Sequence, residues 1–138
     1  MKKGFLAFVV IAILFSTSCK KDEEKNITIV GKWTLSEQGW DNNHNNKIDP
    51  GETYTSTTGL GAFIGFMYLE TDNTYSTSHS WAGRPEFSST GTYTYATNVL
   101  TMVDDSGTNS LTVMSLSSNK LIVRSTLDLN PAWKIYTR

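Results

Sequence analysis

An all-β fold is what this sequence predicts, in the form of a small up-and-down antiparallel β-barrel. Three observations predict it. Apolar and polar residues alternate with period two through most of the chain after residue 30. Turn residues recur at short intervals between those runs. Thr, Ser and Tyr are abundant while Ala, Glu and Lys are scarce, a mix that suits a pleated, half-buried surface. No 3.6-residue amphipathic stretch follows Cys19.

Gly31-Lys32-Trp33-Thr34-Leu35 begins a strand with Trp33 and Leu35 on one face. Phe63 to Glu70 is the next long strand, with Met67 and Leu69 sharing a face. Thr71-Asp72-Asn73 turns the chain into Thr74 to Ser80, which bears Tyr75. Residues 81–86 form a loop before Phe87 to Ala96. There Gly91, Tyr93 and Tyr95 share one side, and Thr90, Thr92 and Thr94 form a wet row on the other. Thr97-Asn98 turns into Val99 to Val103, where Leu100 and Met102 point together. Asp104-Asp105-Ser106-Gly107 is a hairpin turn into Asn109 to Leu116, which carries Leu111 and Val113. Ser117-Ser118-Asn119 turns into Lys120 to Ser125 with Leu121 and Val123. Leu127 to Pro131 links to Ala132 to Thr137, where Trp133 and Ile135 face one way.

A meander of roughly eight strands has two unpaired edges, and closure into a barrel removes them. Eight strands enclose an interior that side chains fill or that holds one small ligand. The 113 residues from Asn26 to Arg138 make one domain with short strands, so a narrow, mostly filled interior is expected.

The N-terminus has a different character. Met1-Lys2-Lys3 is basic, Phe5 to Phe15 is apolar, and Ser16-Thr17-Ser18 precedes the only cysteine, Cys19. Residues 1–18 read as a secretory signal, too short in its apolar part for the ~20 residues of a spanning helix. A single cysteine allows no intramolecular disulfide. Its position resembles the lipobox of bacterial lipoproteins, although Ser16 stands where the commonest pattern has leucine. The resemblance implies cleavage before Cys19, lipidation of its thiol and anchoring in the outer membrane. The other reading is a plain cleaved signal with an incidental cysteine. Residues 19–29 include the charged run Lys20-Lys21-Asp22-Glu23-Glu24-Lys25, which physically is a solvated tether. That run also resembles the surface-export signal of Bacteroidetes lipoproteins, which implies display on the cell surface. Each buried methylene of an acyl chain contributes about 0.8 kcal/mol of membrane affinity, so a multiply acylated cysteine anchors the domain.

Composition excludes some functions. Without residues 1–18 there are ten basic and thirteen acidic residues, a net charge of −3. No basic patch is visible, so nucleic acid is not an expected partner. No Gly-x-Ser-x-Gly occurs, the two histidines have no evident partners, and zinc spacing and internal repeats are absent. An enzyme is not expected.

The most chemical stretch is Asp41-Asn42-Asn43-His44-Asn45-Asn46-Lys47-Ile48-Asp49-Pro50-Gly51-Glu52. Asp41, Asn43, Asn45, Asp49 and Glu52 occupy positions one, three, five, nine and twelve of a loop of the EF-hand kind. Calcium takes six to eight oxygens, so the alternating side chains would curl inward around it. Lys47 would offer its backbone carbonyl, and Glu52 both carboxylate oxygens. Asn46 stands where glycine is usual, and asparagine tolerates the positive φ needed there. Ile48 takes the hydrophobic position, Asp49 would cap a short turn begun by Pro50, and His44 is expected to face solvent. Three ionised ligands imply modest affinity, on the order of 10⁻⁵ to 10⁻³ M. The other reading is an Asn-rich loop of Asx turns without metal.

Two weaker signals follow. Gly59-Leu60-Gly61-Ala62-Phe63-Ile64-Gly65 lacks the spacing and βαβ setting of a nucleotide loop and reads as a bulge or hinge. His79 to Phe87 mixes aromatic, cationic and acidic groups. There Trp81, Arg84 and Phe87 could contact a small hydrophobic or sugar-like ligand at a barrel mouth, or simply pack over the barrel end.

Gly31-Lys32-Trp33 resembles the Gly-x-Trp motif of lipocalins, and a cation near the last strand, such as Arg138, is typical there. Met67 to Tyr75, Gly91-Thr92-Tyr93, and Leu111-Thr112-Val113 through Leu121 resemble the lipocalin-like domains of Bacteroidetes lipoproteins. The resemblance runs over residues 30–138. It implies a calyx-like barrel whose floor Trp33 closes, with the 41–52 loop inserted where lipocalins often place a lid. The expectation is a surface-anchored, non-enzymatic binding or structural module stabilised by Ca2+. The alternative is a carrier that captures a small ligand at the mouth.

Overall fold

The computed structural model describes residues 27–55, 63–81, 84–125 and 131–138. The signal, Cys19, the charged run and Gly59 to Ala62 lie outside the described residues. Among the described residues nine strands form one antiparallel sheet: β1 (Gly31–Trp40), β2 (Thr53–Thr55), β3 (Phe63–Leu69), β4 (Thr74–Trp81), β5 (Phe87–Ala96), β6 (Val99–Asp104), β7 (Gly107–Leu116), β8 (Lys120–Ser125) and β9 (Ala132–Thr137). From β3 to β9 each strand pairs with its neighbours in sequence. β1 pairs with β3 through Gly31 to Thr34 and with β9 through Thr34 to Trp40. The sheet therefore closes on itself as an eight-stranded up-and-down barrel, and no long edge remains. The ninth strand, β2, extends the flank of β1 beyond β3, from Glu37 to Gly39.

The turns show why the chain reverses where it does. Thr97 and Asn98 both take positive φ, 51° and 60°, as a two-residue hairpin between twisted strands requires. Asp104 pairs with Gly107, so the hairpin expected over four residues is a two-residue turn of Asp105 and Ser106. The first strand, read from the sequence as beginning with Gly31 to Leu35, runs on to Trp40 with its alternation out of step. The reason is a bulge: Leu35 pairs with Tyr136 but Glu37 with Ile135, leaving Ser36 unpaired in the ladder. The extra residue shifts the side-chain parity and hides the continuation from a period-two reading.

One end of the barrel is filled. Trp33, Met67, Leu69, Leu100, Leu121 and Val123 are fully buried there, with Tyr93 beside them. Trp33 Nε1 donates to the Ile29 carbonyl at 2.7 Å. The Arg138 guanidinium lies 3.9 Å from the centroid of the Trp33 ring and donates to the carbonyls of Thr28 and Val30. Trp33 thus closes the floor, and the last residue of the chain pins the segment entering β1 beneath it. On the outside, Thr90, Thr92 and Thr94 are exposed as the alternation predicts.

Candidate functional site: the upper half of the barrel

Above the filled floor the interior opens into a cavity of about 220 Å³. The mostly filled interior expected from chain length therefore holds only for the lower half. Gly65 on β3 lines the cavity, but Leu35 of the adjacent strand already fills the place of its missing side chain, 3.3 Å from where a Cβ would stand. The space comes from the wall further round. The upper positions of β4 to β7 carry small polar groups, Thr77, Ser89 and Asn109, instead of large apolar ones.

The cavity has an apolar wall and a polar upper part. Leu35, Met67, Met102, Leu111 and Tyr136 supply the wall. Asp104, His79 and Lys134 supply ionisable groups. Asp104 is well satisfied. The Tyr75 hydroxyl donates to its Oδ2 at 2.9 Å, Ser89 Oγ donates to the same oxygen, and Ser106 N–H donates to Oδ1 at 2.7 Å. The Ser89 hydroxyl, then Tyr75, holds the Asp104 carboxyl below the usual carboxylate range. Burial pushes the His79 imidazole below its ordinary value, and the Lys134 charge adds to that. Burial also lowers the Lys134 ammonium, and raises the Tyr136 phenol.

Lys134 is the residue that sequence reasoning missed. In Trp133-Lys134-Ile135 alternation suggests a charged side chain on a wet face. The register says otherwise. Tyr136 pairs with Leu35 and Leu121, both interior residues, and Lys134 shares its parity, across from Gln38 and Val123. Trp133 and Ile135 point outward, and both are buried there. The useful signal was Tyr136, whose parity matches Lys134 rather than Trp133.

The outward aromatic is covered by the 41–52 loop. Gly39 pairs with Trp133, and a Cβ on Gly39 would stand 1.6 Å from the Glu52 carbonyl, so the end of the loop lies against the outer wall there. The Arg124 guanidinium stands over the Trp133 ring at 5.6 Å and forms an ion pair with Asp41 at 3.0 Å. Asp41 is completely buried. Among the described residues, Arg124 Nε and Trp133 Nε1 are buried with no hydrogen-bond partner.

One feature of the loop's winding, the positive φ of 60° at Asn46, matches the sequence reading. Asp41 accepts the backbone N–H of Asn45 and Asn46, and Glu52 accepts those of Asn42 and Asp49. The oxygens of Asn43 and Asn45 accept the N–H groups two residues on, from Asn45 and Lys47, as Asx turns do. Their amide nitrogens both donate to Asp49, which lowers the Asp49 pKa, Asn43 contributing most. His44 is exposed, as expected, but also takes positive φ, 56°. Among the described residues no three His, Cys, Asp or Glu side chains converge as a ready metal cluster. The donor types suit calcium. Binding would require the Asn43 and Asn45 carboxamides to present oxygen inward and Asp41 to share its charge with Arg124.

The expected mouth contacts sit at the rim and do not line the cavity. Trp81 packs against Phe63 with ring centroids 6.1 Å apart. Phe87 stacks on His79 at 5.7 Å. The Arg84 N–H donates to the Trp81 carbonyl. Trp81, Arg84 and Phe87 are all exposed.

A closed antiparallel barrel, plugged at one end by a tryptophan and hollow toward the other, defines a calyx. The chain belongs to the lipocalin-like domain family, whose model matches residues 29–123. Among solved structures it is similar to the bovine lipocalin allergen Bos d 2. Sequence identity is 17%, over 78% of this chain and 71% of that one, with a TM-score of 0.44. Comparison with the curated proteins gives no match.

Proposed function

We propose that the protein is a non-enzymatic binding module that holds a small, largely apolar ligand inside the upper half of its barrel. The observation that carries this is the cavity of about 220 Å³ with its apolar wall. An apolar cavity of ~150 Å³ accommodates benzene, so this space suits a ligand of modest size, below the ~300–1,000 Å³ of drug-sized sites. Titration calorimetry with 1-octanol tests the reading. Wild type binds, and Met102→Trp, which fills the cavity, binds at least tenfold more weakly. Equal binding by the two proteins counts against the interior site.

Calcium at the 41–52 loop is a second reading, with Asp41, Asn43, Asn45, Lys47, Asp49 and Glu52 as ligands. What favours it is the winding: positive φ at Asn46 and two amides gathered by each of Asp41 and Glu52. Calcium at 100 times its Kd stabilises the fold by about 2.7 kcal/mol. A melting midpoint unchanged between calcium and chelator sinks this reading.

The anchoring reading rests on the sequence around Cys19. The mature chain begins at a lipidated Cys19 and is displayed on the outer membrane of a Bacteroidetes-type bacterium. Metabolic labelling with palmitate in such a host tests it, with loss of label expected in Cys19→Ser. Label retained in that variant contradicts it.

A further inference from the structure

We infer that Lys134 anchors an anionic head group, so that the ligand class is a small amphiphile with a carboxylate or similar acid at one end. The inference rests on the cavity being a ligand site and names the chemistry of that ligand. Its first support is an imbalance of charge inside the barrel. The anion lining the cavity, Asp104, already accepts three hydrogen bonds. The cation, Lys134, forms no hydrogen bond or ion pair among the described residues. A lysine turned into a barrel interior without a counter-ion is costly, and an acid supplied by a ligand removes that cost.

The second support is independent. Gln38 lies directly across the β1–β9 ladder from Lys134, on the same inward face. Its side chain is 9% exposed, and its Nε2 has no acceptor among the described residues. Buried amide nitrogens without an acceptor are rare in folded proteins. Gln38 does not itself line the cavity, so Lys134 is the group that meets the acid, with an amide donor that lacks an acceptor beside it on the next strand. Below them Leu35, Met102, Leu111 and Tyr136 receive the apolar part. The acid end therefore lies toward β1 and β9, away from Asp104 on β6.

Three probes of equal length separate the possibilities: octanoate, 1-octanol and octylammonium, titrated by calorimetry at pH 7.5 into wild type, Lys134→Met and Lys134→Arg. The expected result is that wild type prefers octanoate over 1-octanol by tenfold or more and binds octylammonium weakest. Lys134→Met loses the preference while keeping its affinity for 1-octanol, which also reports that the variant is folded. Lys134→Arg retains the preference. Equal wild-type affinity for octanoate and 1-octanol overturns the anion assignment and leaves the cavity reading standing. Binding of none of the three overturns both. Should Lys134→Met fail to fold, the wild-type ranking of the three probes decides alone.

Discussion

Arg124 and Asp41 stand 83 residues apart in sequence, yet their side chains meet at 3.0 Å on the outer wall of the barrel. The pair joins the long first loop to β8, and the guanidinium also covers Trp133. Asp41 is the one acid of the loop with no exposure at all.

Truncating either partner of a buried ion pair leaves an uncompensated charge, at a cost of about 3–5 kcal/mol. Asp41→Ala and Arg124→Met are each expected to destabilise the fold by about 3 kcal/mol in urea unfolding. The double variant is expected to lose much less than the sum, because neither charge is then stranded. Additive losses would mean that the pair does not hold the loop.

The floor gives a second prediction. Arg138 stacks on Trp33 and donates to two carbonyls of the entering segment. Arg138→Ala is expected to lower stability by about 1–2 kcal/mol, with part recovered in Arg138→Lys, which keeps the charge but not the planar fork. Thermal unfolding measures both. A midpoint equal to wild type in Arg138→Ala would show that the floor is closed by Trp33 alone.

Acid acts in two separate windows. Burial, aided by Lys134, sets the His79 pKa below 6.5 in the fold, so the unfolded chain takes up a proton first. Stability is therefore full above about pH 6.5 and falls as pH drops through that value toward the folded pKa. His79→Asn is expected to flatten this part of the profile. Asp49, Asp72 and Asp104 have pKa values below 3.8, held down chiefly by the Asn43 amide, the Thr74 hydroxyl and the Ser89 hydroxyl. Their contribution is present above 3.8 and lost below it. Urea midpoints measured from pH 7.5 to pH 2.5 check both windows. A wild-type profile flat between pH 7 and pH 5 contradicts the first.

Much of this architecture is legible in the chain. The bounds of β5, β8 and β9 follow from alternation and turn residues alone, and so does the wet threonine row. Asn46 as the positive-φ position follows from the loop spacing. What alternation cannot say is which of two faces is inside. In β9 Trp133 and Ile135 turn outward and are buried there, Trp133 beneath Arg124 and the end of the 41–52 loop, while Lys134 turns in. The bulge at Ser36 conceals the second half of β1, and with it Gln38. The cavity escaped a reading from chain length because its volume depends on small residues high on the wall, which only the register brings together.

The most direct test of the central claim is an amide-correlation NMR titration of the protein with octanoate. The largest shifts are expected at Leu35, Gly65, Met102, Leu111, Lys134 and Tyr136. Shifts confined to Trp81, Arg84 and Phe87 would put the ligand at the rim and contradict the interior site.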